Sequence, residues 1–191
     1  MNLPNKISVF RILLIPIMAI IPLFNIQGEI LNIPITLFII DIIFIIGALS
    51  DKLDGYIARK TNQITDFGKL IDSIADKILV IAAMIILVEF GKIPSWIVIV
   101  VAMREFIVMM YKSQKTMGAN MWGRIKAVIQ MVAVALVFVD PNNFGDVFFG
   151  KLTGFEFYFN GIVTGTMIVA IIATLASGWN YLKGSKDVFK G

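Results

Sequence analysis

The residues Ser50-Asp51-Lys52-Leu53-Asp54-Gly55-Tyr56-Ile57-Ala58-Arg59, followed by Gly68-Lys69-Leu70-Ile71-Asp72-Ser73-Ile74-Ala75-Asp76, form a polar island between two long apolar runs. A helix that crosses a bilayer needs about 20 mainly apolar residues. Residues 34–60 and 67–90 both reach that length, so the island falls where one span ends and the next begins. Asp51, Asp54, Gly55 and Ala58 stand at i, i+3, i+4 and i+7, which a helix gathers on one face. Gly68, Asp72 and Asp76 stand at i, i+4 and i+8 and share a face in the same way. A turn between Lys60 and Asp66 folds the two helices antiparallel and brings four carboxylates to one end of the pair.

Outward from this pair the pattern repeats. Residues 7–25, 94–111, 121–139 and 160–182 are further apolar spans. The joints carry breakers: Gly28 to Pro34, Gly91 to Pro94, Gly118 to Asn120, and Asp140-Pro141-Asn142-Asn143. Hydrophobic residues make up 58% of the chain, where soluble domains have about 45–50%, and the mean hydropathy is +0.87. The expected fold is all-α: an integral membrane bundle of six transmembrane helices, formed by residues 1–191 as a single domain. The first span contains Arg11 and lacks a small-residue cleavage site, so it reads as a span and not as a signal peptide. Of 17 basic residues, only Lys92 and Lys151 fall on the side away from the termini. That asymmetry places both termini, and the four carboxylates, on the cytoplasmic side of the cell membrane.

The composition narrows the chemistry. Cysteine and histidine are absent, which removes thiolate nucleophiles, disulfides and the usual general base near neutral pH. The net charge of +4 in so apolar a chain points to anionic lipid or phosphate, with no nucleic acid as partner. Four carboxylates converging in a bilayer repel one another and lose hydration. Divalent cations among them relieve both problems, and an all-oxygen set suits Mg²⁺ or Mn²⁺. Two such ions about 3.5–4 Å apart clamp a pyrophosphate and stabilise attacking and leaving oxygens. Gly55 and Ala58 leave room on the carboxylate face for a nucleotide. Asp41, alone in the middle of the second span, reads as a structural or proton-handling residue. The stretch from Asp140 to Phe159, rich in Phe, reads as an interfacial anchor on the far side.

The spacing Asp51-x2-Asp54-Gly55-x2-Ala58-Arg59-x8-Gly68-x3-Asp72-x3-Asp76 resembles the full signature of the CDP-alcohol phosphotransferase family, and the six-span layout extends the likeness over the whole chain. The resemblance implies a metal-dependent transfer from a CDP-linked lipid with release of CMP. It implies that Asp51, Asp54, Asp72 and Asp76 hold the metals and that Asp76 takes the proton of the acceptor hydroxyl. Asn5, Ser8, Asp54, Gly55, Ala58, Arg59, Thr65 and Gly68 are then the expected contacts of CDP-diacylglycerol. A homodimer is implied as well.

The segments Leu3-Pro4-Asn5-Lys6-Ile7-Ser8-Val9-Phe10-Arg11, Met103-Arg104-Glu105-Phe106 and Trp122-Gly123-Arg124-Ile125-Lys126 resemble the bacterial phosphatidylglycerophosphate synthases of that family. Glycerol-3-phosphate is then the implied acceptor, with Arg104, Arg124 and Lys126 to hold its phosphate. Ala127 and Asn180 stand where the family pattern usually has Thr and Asp. Phosphatidylglycerol, serine and an inositol phosphate are the rival acceptors. A cation or proton transporter is the rival from another class, although it predicts acids strung across the bilayer, and here they gather at one end.

Overall fold

The computed structural model describes residues 3–60, 66–114, 121–150 and 152–183, and the side chains of residues 6–50, 68, 71–110, 123, 125–150 and 152–179. Among the described residues there are six α-helices: α1 (Leu3–Ile20), α2 (Ile35–Lys60), α3 (Asp66–Glu89), α4 (Ser95–Gln114), α5 (Met121–Phe138) and α6 (Gly154–Lys183). They match the six apolar stretches of the sequence, with shifts at several ends. α1 starts at Leu3 and so takes in Asn5 and Lys6. α6 starts at Gly154, so Phe155 to Phe159, expected in a loop, are its first turns.

The chain divides into two compact units. The first comprises Met1–Phe90 with Phe138–Pro141, and the second Gly91–Val137 with Asn142–Gly191.

In the first unit α1 packs on both α2 and α3, and α2 packs on α3. The buried stripe of α1 is Ser8, Arg11, Leu14 and Met18. α2 contributes Leu37, Ile40, Phe44 and Gly47, and α3 contributes Ala75, Leu79 and Ala83, all buried. Each set follows three- and four-residue steps, as an inward helix face must. Phe44 also meets Phe138, with ring centroids 6.2 Å apart. Between α1 and α2 the chain reverses through a 3₁₀ turn (Ile21–Phe24) and a two-residue hairpin, β1 (Glu29–Ile30) with β2 (Ile33–Pro34). Its central residues Leu31 and Asn32 both have positive φ, 54° and 62°. That is the backbone of a type I′ turn, whose twist fits the flanking strands. This small hairpin is the one departure from the all-α expectation among the described residues.

In the second unit α4 packs on α6, and α6 packs on a 3₁₀ turn at Asp146–Phe149. The segment before α6 is ordered by Asn160, which is fully buried. Its Oδ1 accepts from Val147 N at 2.9 Å and its Nδ2 donates to the Asn143 carbonyl at 3.0 Å. Thr164 Oγ1 accepts from Gly145 N at 3.2 Å, where φ is +88° and glycine is favoured. Phe148, Phe149, Phe155 and Tyr158 remain exposed around this segment.

Lys6–Phe24 and Gly154–Trp179 are long and apolar enough to cross a membrane by length and composition. The other helices also expose apolar side chains: Ile42, Ile46 and Leu49 on α2, Ile85 on α3, Ile99, Met103 and Met110 on α4, and Val128 and Val132 on α5. Exposed apolar surface on that scale is unusual for a water-facing protein and suits a hydrocarbon surround.

Candidate active site

The site grows from the close approach of three helices. Gly47 of α2 has no side chain to hold α3 away, and a Cβ there would lie 2.7 Å from Leu79 Cδ2 and 3.6 Å from Leu14 Cδ1. Small residues at such crossings let helix backbones come together. One turn further along α2 the helical register of positions 40, 44 and 47 reaches positions 51 and 54. For Asp51, Asp54, Gly55, Ala58 and Arg59 the structure describes the helical backbone alone.

On α3, Gly68, Asp72 and Asp76 follow one another by single turns. Asp72 is partly open, with 39% of its side chain exposed, and Asp76 is half-buried. The Oδ1 of Asp72 accepts a hydrogen bond from Nη1 of Arg11 at 3.0 Å. Arg11 itself has no exposed surface. Its Nε donates to Ser50 Oγ at 3.3 Å, and Ser50 Oγ donates to the Gly47 carbonyl at 2.7 Å. One guanidinium of α1 thus holds the first part of α3 and the residue just before Asp51 on α2. Next to Asp76, Lys77 donates from Nζ to the carbonyl and to the hydroxyl of Ser73, each at 2.7 Å.

The two described carboxylates of the motif, Asp72 and Asp76, are donors of the kind a hard divalent ion takes, although no group of three or more such side chains gathers among the described residues. The donors at hand are carboxylates, and Asp72 keeps an open edge although one oxygen is tied to Arg11. Mg²⁺ and Mn²⁺ favour oxygen ligands of this kind.

A second cluster belongs to the other unit. Arg104 of α4 donates from Nη1 to Glu105 Oε1 at 2.9 Å. Lys126 of α5 bonds the same Glu105 oxygen, and Arg104 Nη2 bonds the Ser177 hydroxyl of α6. The next residue, Gly178, is pressed on Arg104, since a Cβ there would lie 3.2 Å from Arg104 Cγ. Glu105 therefore joins the two described cations that the sequence assigns to the acceptor phosphate. They are held in place by charge-assisted bonds on three helices.

Of the remaining expected residues, Ser8 is buried on α1. Asn5 and Arg124 are described only as helical backbone, and Thr65 lies outside the described residues. Asp41 is buried within α2, and its Oδ1 accepts no hydrogen bond among the described residues. The sequence reading assigns no role at a site to Arg11, Ser50, Glu105 or Ser177. Arg11 carried the clearest signal, a permanent charge inside an apolar span, which is uncommon without a partner.

Residues 1–176 match the family model for CDP-alcohol phosphatidyltransferase. A CDP-diacylglycerol–glycerol-3-phosphate 3-phosphatidyltransferase of Bacillus subtilis (strain 168) is 39% identical, with 99% of this chain and 97% of that protein covered. The protein of the same name from Pseudomonas fluorescens is 32% identical over 98% of this chain and 96% of its own length. That from Haemophilus influenzae is 33% identical over 76% of this chain and 80% of its own.

Proposed function

Because the chain belongs to the CDP-alcohol phosphatidyltransferase family, we propose that it transfers the phosphatidyl group of CDP-diacylglycerol to sn-glycerol-3-phosphate, giving phosphatidylglycerophosphate and CMP. The observation that carries this reading is Asp72, bonded by buried Arg11, which also bonds Ser50, the residue before Asp51 on α2. Relatives of that activity, matched along nearly the whole of both chains, support glycerol-3-phosphate as the acceptor.

Asp51, Asp54, Asp72 and Asp76 are the residues that would hold two divalent ions. Bound there, Mg²⁺ or Mn²⁺ supplies charge neutralisation for the pyrophosphate and a template for in-line displacement. Asp76 accepts the proton of the acceptor hydroxyl as that oxygen attacks the β-phosphorus, the one bonded to the diacylglycerol oxygen, and CMP leaves. Asn5, Ser8, Gly55, Ala58, Arg59, Thr65 and Gly68 line the donor's nucleotide and pyrophosphate. Arg104, Arg124 and Lys126 bind the acceptor phosphate, which a point or forked cation recognises well. With neither His nor Cys in the chain, direct displacement is the route that the residues support.

The reading includes a multi-pass protein of the cell membrane with a cytoplasmic site and termini, supported by the distribution of basic residues. The family match runs through both compact units, which supports one membrane domain over 1–191. A homodimer is part of the same reading. The test is CMP release from CDP-diacylglycerol by the purified protein in detergent with Mg²⁺ or Mn²⁺. Glycerol-3-phosphate, phosphatidylglycerol, serine and an inositol phosphate are offered in parallel. Release that depends on glycerol-3-phosphate and stops with EDTA is expected. Release with another alcohol, and not with this one, overturns the acceptor.

A further inference from the structure

We infer that Arg11 is a positioning residue for the carboxylate site, fixing Asp72 directly and the start of the aspartate run on α2 through Ser50. The inference rests on the metal-site reading above and deepens it.

Three observations carry it. Arg11 is fully buried in an apolar helix, where a charge is expensive unless something specific engages it. Among the described residues it donates to acceptors on two other helices: Asp72 of α3 at 3.0 Å and Ser50 of α2 at 3.3 Å. A planar guanidinium with a rigid fork can hold both at once, whereas a lysine ammonium is a point charge on a flexible stem. Finally, Ser50 is itself anchored to the Gly47 carbonyl, at the place where α2 approaches Leu14 of α1 and Leu79 of α3. A shift of Arg11 is therefore felt at a carboxylate on α3 and at the residue preceding Asp51. Its positive charge also offsets the negative charge of Asp72 and of any carboxylate brought near it. A residue that served only to orient the helix in the membrane, or to stitch α1 to its neighbours, needs no carboxylate of this motif.

The experiment uses the full chain in detergent and Mn²⁺ alone as the probe, with bound and free ion separated by electron paramagnetic resonance. The unchanged protein is compared with Asp72→Asn, Arg11→Gln, Arg11→Lys and Ser50→Ala, each also followed by thermal unfolding. Removing a residue that orients a metal ligand typically weakens metal binding by about 10–100-fold, and that loss is expected for Arg11→Gln. Arg11→Lys should recover part of it, and Ser50→Ala should show a smaller loss with nearly unchanged unfolding. If Arg11→Gln does not fold, Arg11→Lys and Ser50→Ala carry the comparison. Unchanged Mn²⁺ affinity in the folded Arg11 and Ser50 variants, while Asp72→Asn loses the ion, overturns the positioning role and leaves Arg11 a structural tie. No Mn²⁺ binding by the unchanged protein, or none lost in Asp72→Asn, overturns the metal site itself and the inference with it.

Discussion

Gly47 of α2 lies directly against Leu79 of α3: a methyl group built on Gly47 falls 2.7 Å from Leu79 Cδ2 and 3.2 Å from its Cδ1. Leu79 has no exposed surface into which it could retreat. The contact sits one turn before Asp51 and brings together the two helices that carry the aspartates.

Gly47→Ala should therefore destabilise the protein by about 1–3 kcal/mol, as overpacking does. Combining it with Leu79→Ala should be less harmful than the sum of the two single changes, because the clash disappears. Thermal unfolding of the four proteins in detergent checks this. Strict additivity would mean that the two residues do not meet.

Asp76→Asn and Asp72→Asn should fail differently. Asn at 76 cannot accept the hydroxyl proton, so turnover should fall by at least about 100-fold, the lower range for general-base loss. Binding of CDP-diacylglycerol should stay within a few-fold. Asn at 72 should weaken Mn²⁺ and donor binding together. Equilibrium binding of a labelled donor, alongside initial rates over a range of Mn²⁺, separates the two.

Arg104→Ala and Lys126→Ala should raise KM for glycerol-3-phosphate about tenfold or more, the effect of one charge-assisted bond of about 1.5–3 kcal/mol. KM for CDP-diacylglycerol should change little. Steady-state rates with each substrate varied in turn give the answer. An equal rise for both substrates would assign these cations to the shared scaffold of α4, α5 and α6.

Asn160→Ala removes the bonds to Val147 N and the Asn143 carbonyl and leaves two part-buried backbone groups without these partners. A loss of about 1–3 kcal/mol in stability is expected, with kcat of the folded protein unchanged. Unfolding and activity measured on the same preparation test this. A fall in kcat without a fall in stability would give the 140–150 segment a part in turnover.

The helices were legible because the apolar runs are long and the breakers between them strong. Helix starts were less so. Gly154 opens α6 ahead of Phe155 to Phe159, whose aromatic run reads equally well as an interfacial loop. The Leu31–Asn32 turn escaped because Leu rarely adopts a positive φ. At the site, the spacing singles out the four aspartates of the motif as candidates. It does not show the supports: Arg11 lies 61 residues from Asp72 and Lys126 lies 21 from Glu105. Pairings across helices depend on how α1 docks and how α4 meets α5, which no local pattern states.

Transfer is distinguished from hydrolysis by following one label through one turnover. Purified protein with Mg²⁺ is given CDP-diacylglycerol and glycerol-3-phosphate labelled in its glycerol carbons, and CMP and lipid-extractable label are counted together. One labelled phosphatidylglycerophosphate is expected for each CMP, with both lost on adding EDTA or in Asp76→Asn. CMP released while the label stays in the aqueous phase would show hydrolysis in place of transfer and contradict the proposed reaction.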